Sequence, residues 1–346
     1  MSVLSAFGYI LKRWYNFVMK ILGTGLRGLV GSRVVELLKD EYEFEISDVD
    51  ITDRQKIIEK IKSSDAQIVL HLAAKTNVDG CEKDREKDIK ILRYIDIREQ
   101  EESFSREGTA WAINVFGTKN VVDVCQLSKK KLIYISTDFV FDGTPKSAYL
   151  ASEASTLAPA RGVSTGQAKA YTENDIPNPI NWYGKTKYTG EKIVQTSKTP
   201  WIIARIAYPY RANFTKPDFF RAILKRLQAG KEVKGVTDHV FTPTFVDNIA
   251  FAIDALIKNA SQGIFHVVGG QSLKPFDAAI LIANEFNLDK SQVSKTTRAE
   301  YFKNRAPRPF QLVLKNDKIT KLGVRMSTFV EGLRKILKQV QDDKKI

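Results

Sequence analysis

The sequence is poor in cysteine and histidine. Two cysteines, Cys81 and Cys125, among 346 residues exclude a disulfide framework, and a reducing, cytoplasmic setting is expected. Three histidines with no close His/Cys grouping give no zinc-ligand pattern, and no metal is expected. No apolar run is long enough to span a bilayer, so no membrane partner is expected. The most apolar stretch, residues 1–18, is broken by Lys12 and Arg13 and lacks a small-residue cleavage site. It is expected to be an N-terminal extension, with an amphipathic membrane-surface segment as the alternative. Met19 then opens MKILGTG, the first domain-like string.

Acidic residues are also scarce relative to basic ones, leaving a net charge of +14. No arginine-rich, zinc-finger or aromatic nucleic-acid motif accompanies this surplus, so a nucleic-acid partner is not expected. The charge suits either a solvated surface or attraction of a sugar nucleotide and a pyrophosphate cofactor. Part of it is local: residues 314–346 hold nine Lys/Arg against four Asp/Glu.

What the chain does have is alternation. Short apolar runs at 20–23, 44–46, 67–73, 131–136 and 201–207 predict strands. Between them, helical periods cover 29–38, 54–61 and 111–127. This alternation predicts an α/β fold, a Rossmann-type doubly wound parallel sheet with a smaller C-terminal substrate-binding lobe. The expected division is a dinucleotide-binding domain at 19–206 with part of 237–268, and a lobe from 207–236 and 269–346. Two segments break the rhythm: the charge-dense 79–107, helical in propensity, and the Ser/Ala/Thr/Gly-rich 144–170, which reads as a lid or insertion. Near the C-terminus, Thr328 and Glu331 form a capping signature. Phe329, Leu333, Leu337 and Val340 follow it as an amphipathic stripe.

The string GTGLRGLVG at 23–31 joins the first strand to the first helix, with Gly25, Gly28 and Gly31 spaced G-x-x-G-x-x-G. Such glycines allow a sharp turn, a close backbone approach to a pyrophosphate, and helix–strand packing. The helix N-terminus then offers unpaired N–H donors and its positive dipole end to the anion. Two features bear on the choice of nicotinamide cofactor. Asp48 and Asp50 on the second strand favour a free ribose hydroxyl, whereas Arg27 in the loop could pair a 2′-phosphate. Arg27 tips the expectation to NADPH, with NADH as the alternative.

Tyr183 and Lys187 stand at i and i+4 on a predicted helix. A phenol beside an ammonium is expected to become acidic enough to protonate a nascent alkoxide. Thr137, at the end of KLIYIS, would hydrogen-bond the same oxygen. Tyr188 and Lys192 repeat the spacing, but at about 100° per residue Tyr188 points roughly 140° away, so both pairs cannot face one site.

With these motifs in place, the chain resembles the dTDP-4-dehydrorhamnose reductase family of extended short-chain dehydrogenases. The likeness runs from residue 19 to about 337. It rests on GTGLRGLVG, HLAAKTNVDGCE at 71–82, INVFGTKN at 113–120, STDFVFDG at 136–143, YTENDIPNPINWYGKTKYTGE at 171–191, TPTFVDNIA at 242–250 and RAPRPFQLVL at 305–314, in the family's order. The resemblance implies that Thr137, Tyr183 and Lys187 are catalytic, since the family pattern places the tyrosine before a glycine, here Gly184. It implies cofactor contacts from Gly25, Arg27, Gly28, Leu29, Gly31, Asp50, Ala73, Ala74, Thr76 and Lys187. Asp138, Phe139 and Arg308, with neighbouring Pro309, would line the substrate side. The implied reaction reduces the C4 keto group of dTDP-4-dehydro-L-rhamnose with NADPH. Related reductases, epimerases and dehydratases, and a non-catalytic regulatory subunit resembling that of methionine adenosyltransferase, are the alternatives. A dTDP-linked keto-sugar is thus the expected partner, and a homo-oligomer stays open. Phe139 departs from the family's tyrosine, Gln311 and Leu312 from its Asn-Ser, and the insertions near 83–106 and 145–170 are not typical.

Overall fold

The computed structural model describes residues 18–94, 96–144 and 170–343. The extension at 1–17 and nearly all of the insertion at 145–170 lie outside these residues. Among the described residues no helix is long and apolar enough to cross a membrane.

The centre is a six-stranded parallel sheet built from β1 (Lys20–Thr24), β2 (Glu43–Ser47), β3 (Ile68–His71), β4 (Lys131–Thr137), β5 (Trp201–Ile206) and β6 (Gly263–His266). Their order across the sheet is β2-β1-β3-β4-β5-β6. The inner strands are buried on both faces, as in IVLH of β3, which is why they read as apolar runs without alternation. β3 is shorter than the predicted 67–73: after Leu72 N donates to Thr24 O (3.0 Å), the chain runs irregularly to residue 77.

Helices cover both faces. On one lie α1 (Gly31–Leu38) and α8 (Val246–Lys258). Val34, Leu38, Ile249 and Ile253 pack there on Ile21, Ile133 and Ile202. On the other lie α2 (Arg54–Ser63), α5 (Thr118–Leu127) and α6 (Trp182–Gln195). There Ile57, Ile61, Val121 and Val194 meet Leu22, Val69 and Ile203. The charge-dense segment forms two helices, α3 (Val78–Leu92) and α4 (Ile97–Ser105).

A separate apolar cluster gathers α7 (Phe219–Gln228), α9 (Pro275–Glu285) and the C-terminal helix Phe329–Asp343. Thr328 and Glu331 form the expected reciprocal cap, Thr328 N donating to Glu331 Oε2 (2.9 Å) and Glu331 N to Thr328 Oγ1 (3.3 Å). The buried stripe runs Phe329, Leu333, Ile336, so Ile336 takes the inner position expected of Leu337.

Because β1 lies between β2 and β3, chain crossovers leave it in opposite directions. In open α/β sheets, ligands bind in the crevice outside the strand C-termini at such a switch point. Thr24, His71, Thr137 and Ile206 end the strands that face it.

Candidate functional site

The glycine loop follows β1. Gly25 has φ +73°, and a Cβ there would lie 2.6 Å from Ala73 N. A side chain at Gly31 would collide with Leu26 Cα at 2.6 Å. The loop therefore presses against the segment leaving β3, which brings Gly25, Gly28, Gly31 and Ala73 to one place. No side chain caps α1. Ser32 N donates to Gly28 O (3.0 Å) and Arg33 N to Val30 O (3.1 Å), and the positive dipole end of the helix lies at the glycine loop, an arrangement suited to a diphosphate.

The two opposed cofactor clues prove to be one ion pair. Arg27 Nε and Nη2 each reach an Asp48 carboxylate oxygen at 2.7 Å, and both side chains are exposed. Asp50 is engaged locally: its Oδ1 accepts from Thr52 N (2.9 Å) and Thr52 Oγ1 (2.8 Å). Leu29 O accepts from Arg211 Nη1 (3.3 Å).

Residues 73–76 are held by a residue the sequence reading did not single out. Asn114 lies buried in a π-helical turn, Ala112–Gly117, that runs into α5. Its Oδ1 accepts from Lys75 N (2.8 Å), and its Nδ2 donates to Lys75 O (3.0 Å) and Thr186 Oγ1 (3.0 Å). It thereby ties the stretch bearing Ala74 and Thr76 to α6, one residue before Lys187.

Helix α6 begins at Asn181, whose Oδ1 accepts from Gly184 N (2.8 Å). Gly184 is required by close approach, because a Cβ would lie 2.1 Å from Phe139 O. That approach sets Tyr183 beside the end of β4. The Tyr183 ring meets Phe139 edge-on at 5.7 Å, and Thr137 lies beside its hydroxyl. Thr137 Oγ1 also donates to Asp138 Oδ1 (3.0 Å) and accepts from Phe139 N (3.2 Å). Thr137, Tyr183 and Lys187 are all buried together. The second pair points elsewhere: Lys192 is exposed, with Nζ 5.2 Å from the Tyr188 ring centroid.

The electrostatics differ from the expected phenol acidified by its lysine. Burial pushes the Tyr183 phenol up, and only the adjacent Thr137 hydroxyl opposes it. Lys187 Nζ donates to Ile135 O (2.8 Å) and lies 4.0 Å from the Tyr134 ring centroid. Burial pulls it down to about 7, with the Glu191 carboxylate opposing. Glu191 itself is paired with Arg205, both buried (2.7 Å). The physical reason is desolvation, which here outweighs the pairing that helical spacing suggested.

Just after β4, Asp138 is buried and burial raises its carboxyl to about 7. Its Oδ2 has no partner among the described residues. Phe139 packs between Tyr183 and Tyr208, whose ring centroid is 6.0 Å away. Tyr208 was not anticipated. It holds φ +40°, sparsely populated for a tyrosine, and its hydroxyl lies 3.4 Å from His239 Nε2. Arg308 is buried, but its guanidinium is engaged by Asp79 Oδ1 (2.8 Å) and Ala306 O (2.6 Å).

Fold and site together define a class, a nicotinamide-dependent oxidoreductase of the extended short-chain dehydrogenase kind. The RmlD substrate binding domain family matches residues 19–94 and 94–342, and the chain belongs to this family. It is similar to a dTDP-4-dehydrorhamnose reductase of Aggregatibacter actinomycetemcomitans, 25% identical over 92% of this chain and 98% of that protein. A probable low-salt glycan biosynthesis reductase of Haloferax volcanii is 26% identical over 80% of this chain and 83% of that protein. Among solved structures, a dTDP-4-dehydrorhamnose reductase of Bacillus anthracis in complex with NADP superposes with TM-score 0.75. It is 26% identical and covers 93% of this chain and 100% of its own.

Proposed function

We propose that this oxidoreductase acts on a nucleotide-linked keto-sugar and reduces the C4 keto group of dTDP-4-dehydro-L-rhamnose to dTDP-L-rhamnose, with NADPH as reductant. The observation that supports it is that Thr137, Tyr183 and Lys187 are each buried, with Asp138 next to Thr137 holding an Oδ2 that has no partner among the described residues.

The dinucleotide would be held by the backbone of Gly25, Gly28, Leu29 and Gly31, with Arg27, Asp50, Ala73, Ala74, Thr76 and Lys187 along it. When bound, it supplies the hydride. The chain's own part is the proton. Tyr183 keeps its proton because burial raises the phenol, and a reductase needs that acid loaded. An alkoxide is a far stronger base than a phenolate, so the raised phenol still gives up its proton once the alkoxide forms. Thr137 orients the Tyr183 hydroxyl and shares the developing negative charge. Asp138 Oδ2 meets a sugar hydroxyl. Phe139 puts an apolar ring where elimination of water would call for a second acid, which favours reduction over dehydration.

The test is dinucleotide oxidation by purified protein with dTDP-4-dehydro-L-rhamnose. Turnover with that sugar exceeding turnover with UDP-linked 4-keto-sugars is the expected result. Binding of NADPH without turnover on any nucleotide-linked keto-sugar would instead fit a regulatory subunit.

The Arg27–Asp48 pair gives a second expectation. A 2′-phosphate has to draw Arg27 away from Asp48, so Asp48→Asn should raise the kcat/KM ratio of NADPH to NADH by roughly two- to fivefold, the scale of an exposed pair. An unchanged or lowered ratio would remove Arg27 from cofactor choice.

A further inference from the structure

We infer that helix α3 is the positioning element of the site: through Glu82 and Asp88 it locks Trp182, and with it the first turn of the helix that presents Tyr183. The inference rests on the reading of Tyr183 as the proton donor.

Trp182 immediately precedes Tyr183 and is gripped at each of its groups. Its backbone N donates to Glu82 Oε2 at 2.8 Å. Its indole Nε1 donates to Asp88 Oδ2 at 2.7 Å. Its ring stacks on Trp111, with centroids 5.5 Å apart and planes 28° apart, and Arg85 lies 5.9 Å from its centroid. Glu82, Arg85 and Asp88 all belong to α3.

Helix α6 already has its local cap in Asn181, so Glu82 is a second cap reaching in from a different element. A carboxylate at a helix N-terminus also meets the positive dipole end. Asp88 is fully buried, which is costly for a carboxylate. Its Oδ2 serves Trp182 Nε1 and also Trp111 N (3.1 Å). Trp111 leads into the π-turn that carries Asn114, and Asn114 bonds Thr186. One carboxylate thus ties the approach to the π-turn to the first turn of the helix that carries Tyr183 and Lys187.

The same helix holds the substrate side. Asp79 accepts from Arg305 Nε (2.9 Å), Ala306 N (3.1 Å) and Arg308 Nη2 (2.8 Å), and Asn181 Nδ2 donates to Pro307 O (2.9 Å). α3 therefore sets the spacing between residues 305–308 and the helix bearing the proton donor. Misplacement of a reacting group by about 1 Å lowers a rate by up to roughly 100-fold, so loss of this grip should appear in kcat.

The decisive variants are Trp182→Phe, which keeps the ring and loses the indole N–H, and Asp88→Ala against Asp88→Asn, which retains an acceptor oxygen. Steady-state kinetics with the keto-sugar and NADPH are read together with thermal unfolding, and Tyr183→Phe is run alongside. We expect Trp182→Phe and Asp88→Ala to lower kcat on the order of tenfold or more with KM for NADPH unchanged. Asp88→Asn should recover most of kcat. Wild-type kcat in folded Trp182→Phe, or Asp88→Asn as impaired as Asp88→Ala, would overturn the inference. Full turnover in Tyr183→Phe would instead overturn the reading beneath it.

Discussion

Replacing Tyr183 by Phe is expected to lower kcat by on the order of 10² to 10⁴, the span of a lost general acid, while dinucleotide affinity stays close to that of the unmodified protein. The ring is retained, so the edge contact with Phe139 and the packing of α6 survive. What disappears is the hydroxyl that meets Thr137, worth about 1 kcal/mol of stability. Tyr188→Phe should leave kcat near its starting value, because Tyr188 is only partly buried and its lysine partner Lys192 is exposed, whereas Tyr183 and Lys187 are both buried. The two single variants, compared at saturating NADPH, therefore discriminate between the two overlapping Tyr-x-x-x-Lys pairs. Loss of turnover in Tyr188→Phe alone would transfer the chemistry to the other pair.

The second large effect concerns acid stability. All three histidines are buried and neutral in the fold. Burial pulls His71 down to about 3, His239 to about 4 and His266 to about 3. Each ring is already engaged: His71 between Thr24 Oγ1 (2.7 Å) and Thr118 Oγ1 (3.1 Å), His239 against Pro309 O (2.9 Å), and His266 against Lys315 O (3.1 Å). In the unfolded chain these groups accept a proton near pH 6.5. Below that value the unfolded state binds protons that the folded state refuses, so stability falls with pH. Asp138 acts in the opposite sense, since its raised carboxyl takes up a proton in the fold near pH 7 and in the unfolded chain only near 3.8. Burial raises the Asp88 carboxyl in the same sense, so the net difference is at most about two protons, or up to about 3 kcal/mol per pH unit between roughly pH 6 and 4. Urea unfolding between pH 7.5 and 5 should show this steep loss, and His71→Asn should flatten it. A midpoint that does not move over this interval would show that the histidines are accessible to protons in the fold.

Much of the framework was legible because local chemistry encodes it. Buried parallel strands appear as apolar runs, and the glycine spacing at 25, 28 and 31 reports a turn that a Cβ would block. The reciprocal Thr328–Glu331 cap was readable at a spacing of three residues. What stayed hidden depends on contacts between distant segments. Asn114 is one polar residue in an apolar string, and nothing local says that it clasps Lys75 and Thr186. Asp79 and Glu82 read as part of a charged helix, yet they grip residues more than ninety positions away. Asp48 and Arg27 looked like competing signals until their side chains met. Lys187 was expected to act on Tyr183 through charge. Spacing along a helix gives proximity but not the degree of burial, and burial governs both groups. Tyr208, with its positive φ, carries no sequence mark at all.

The most direct test follows the atoms. The protein is supplied with dTDP-4-dehydro-L-rhamnose and NADPH carrying deuterium at its transferable position, and the product is read by mass spectrometry and NMR. One deuterium at sugar C4, in dTDP-L-rhamnose, is the predicted result, lost in Tyr183→Phe and kept in Tyr188→Phe. A product without deuterium at C4, or no product from a folded protein that binds NADPH, would contradict it.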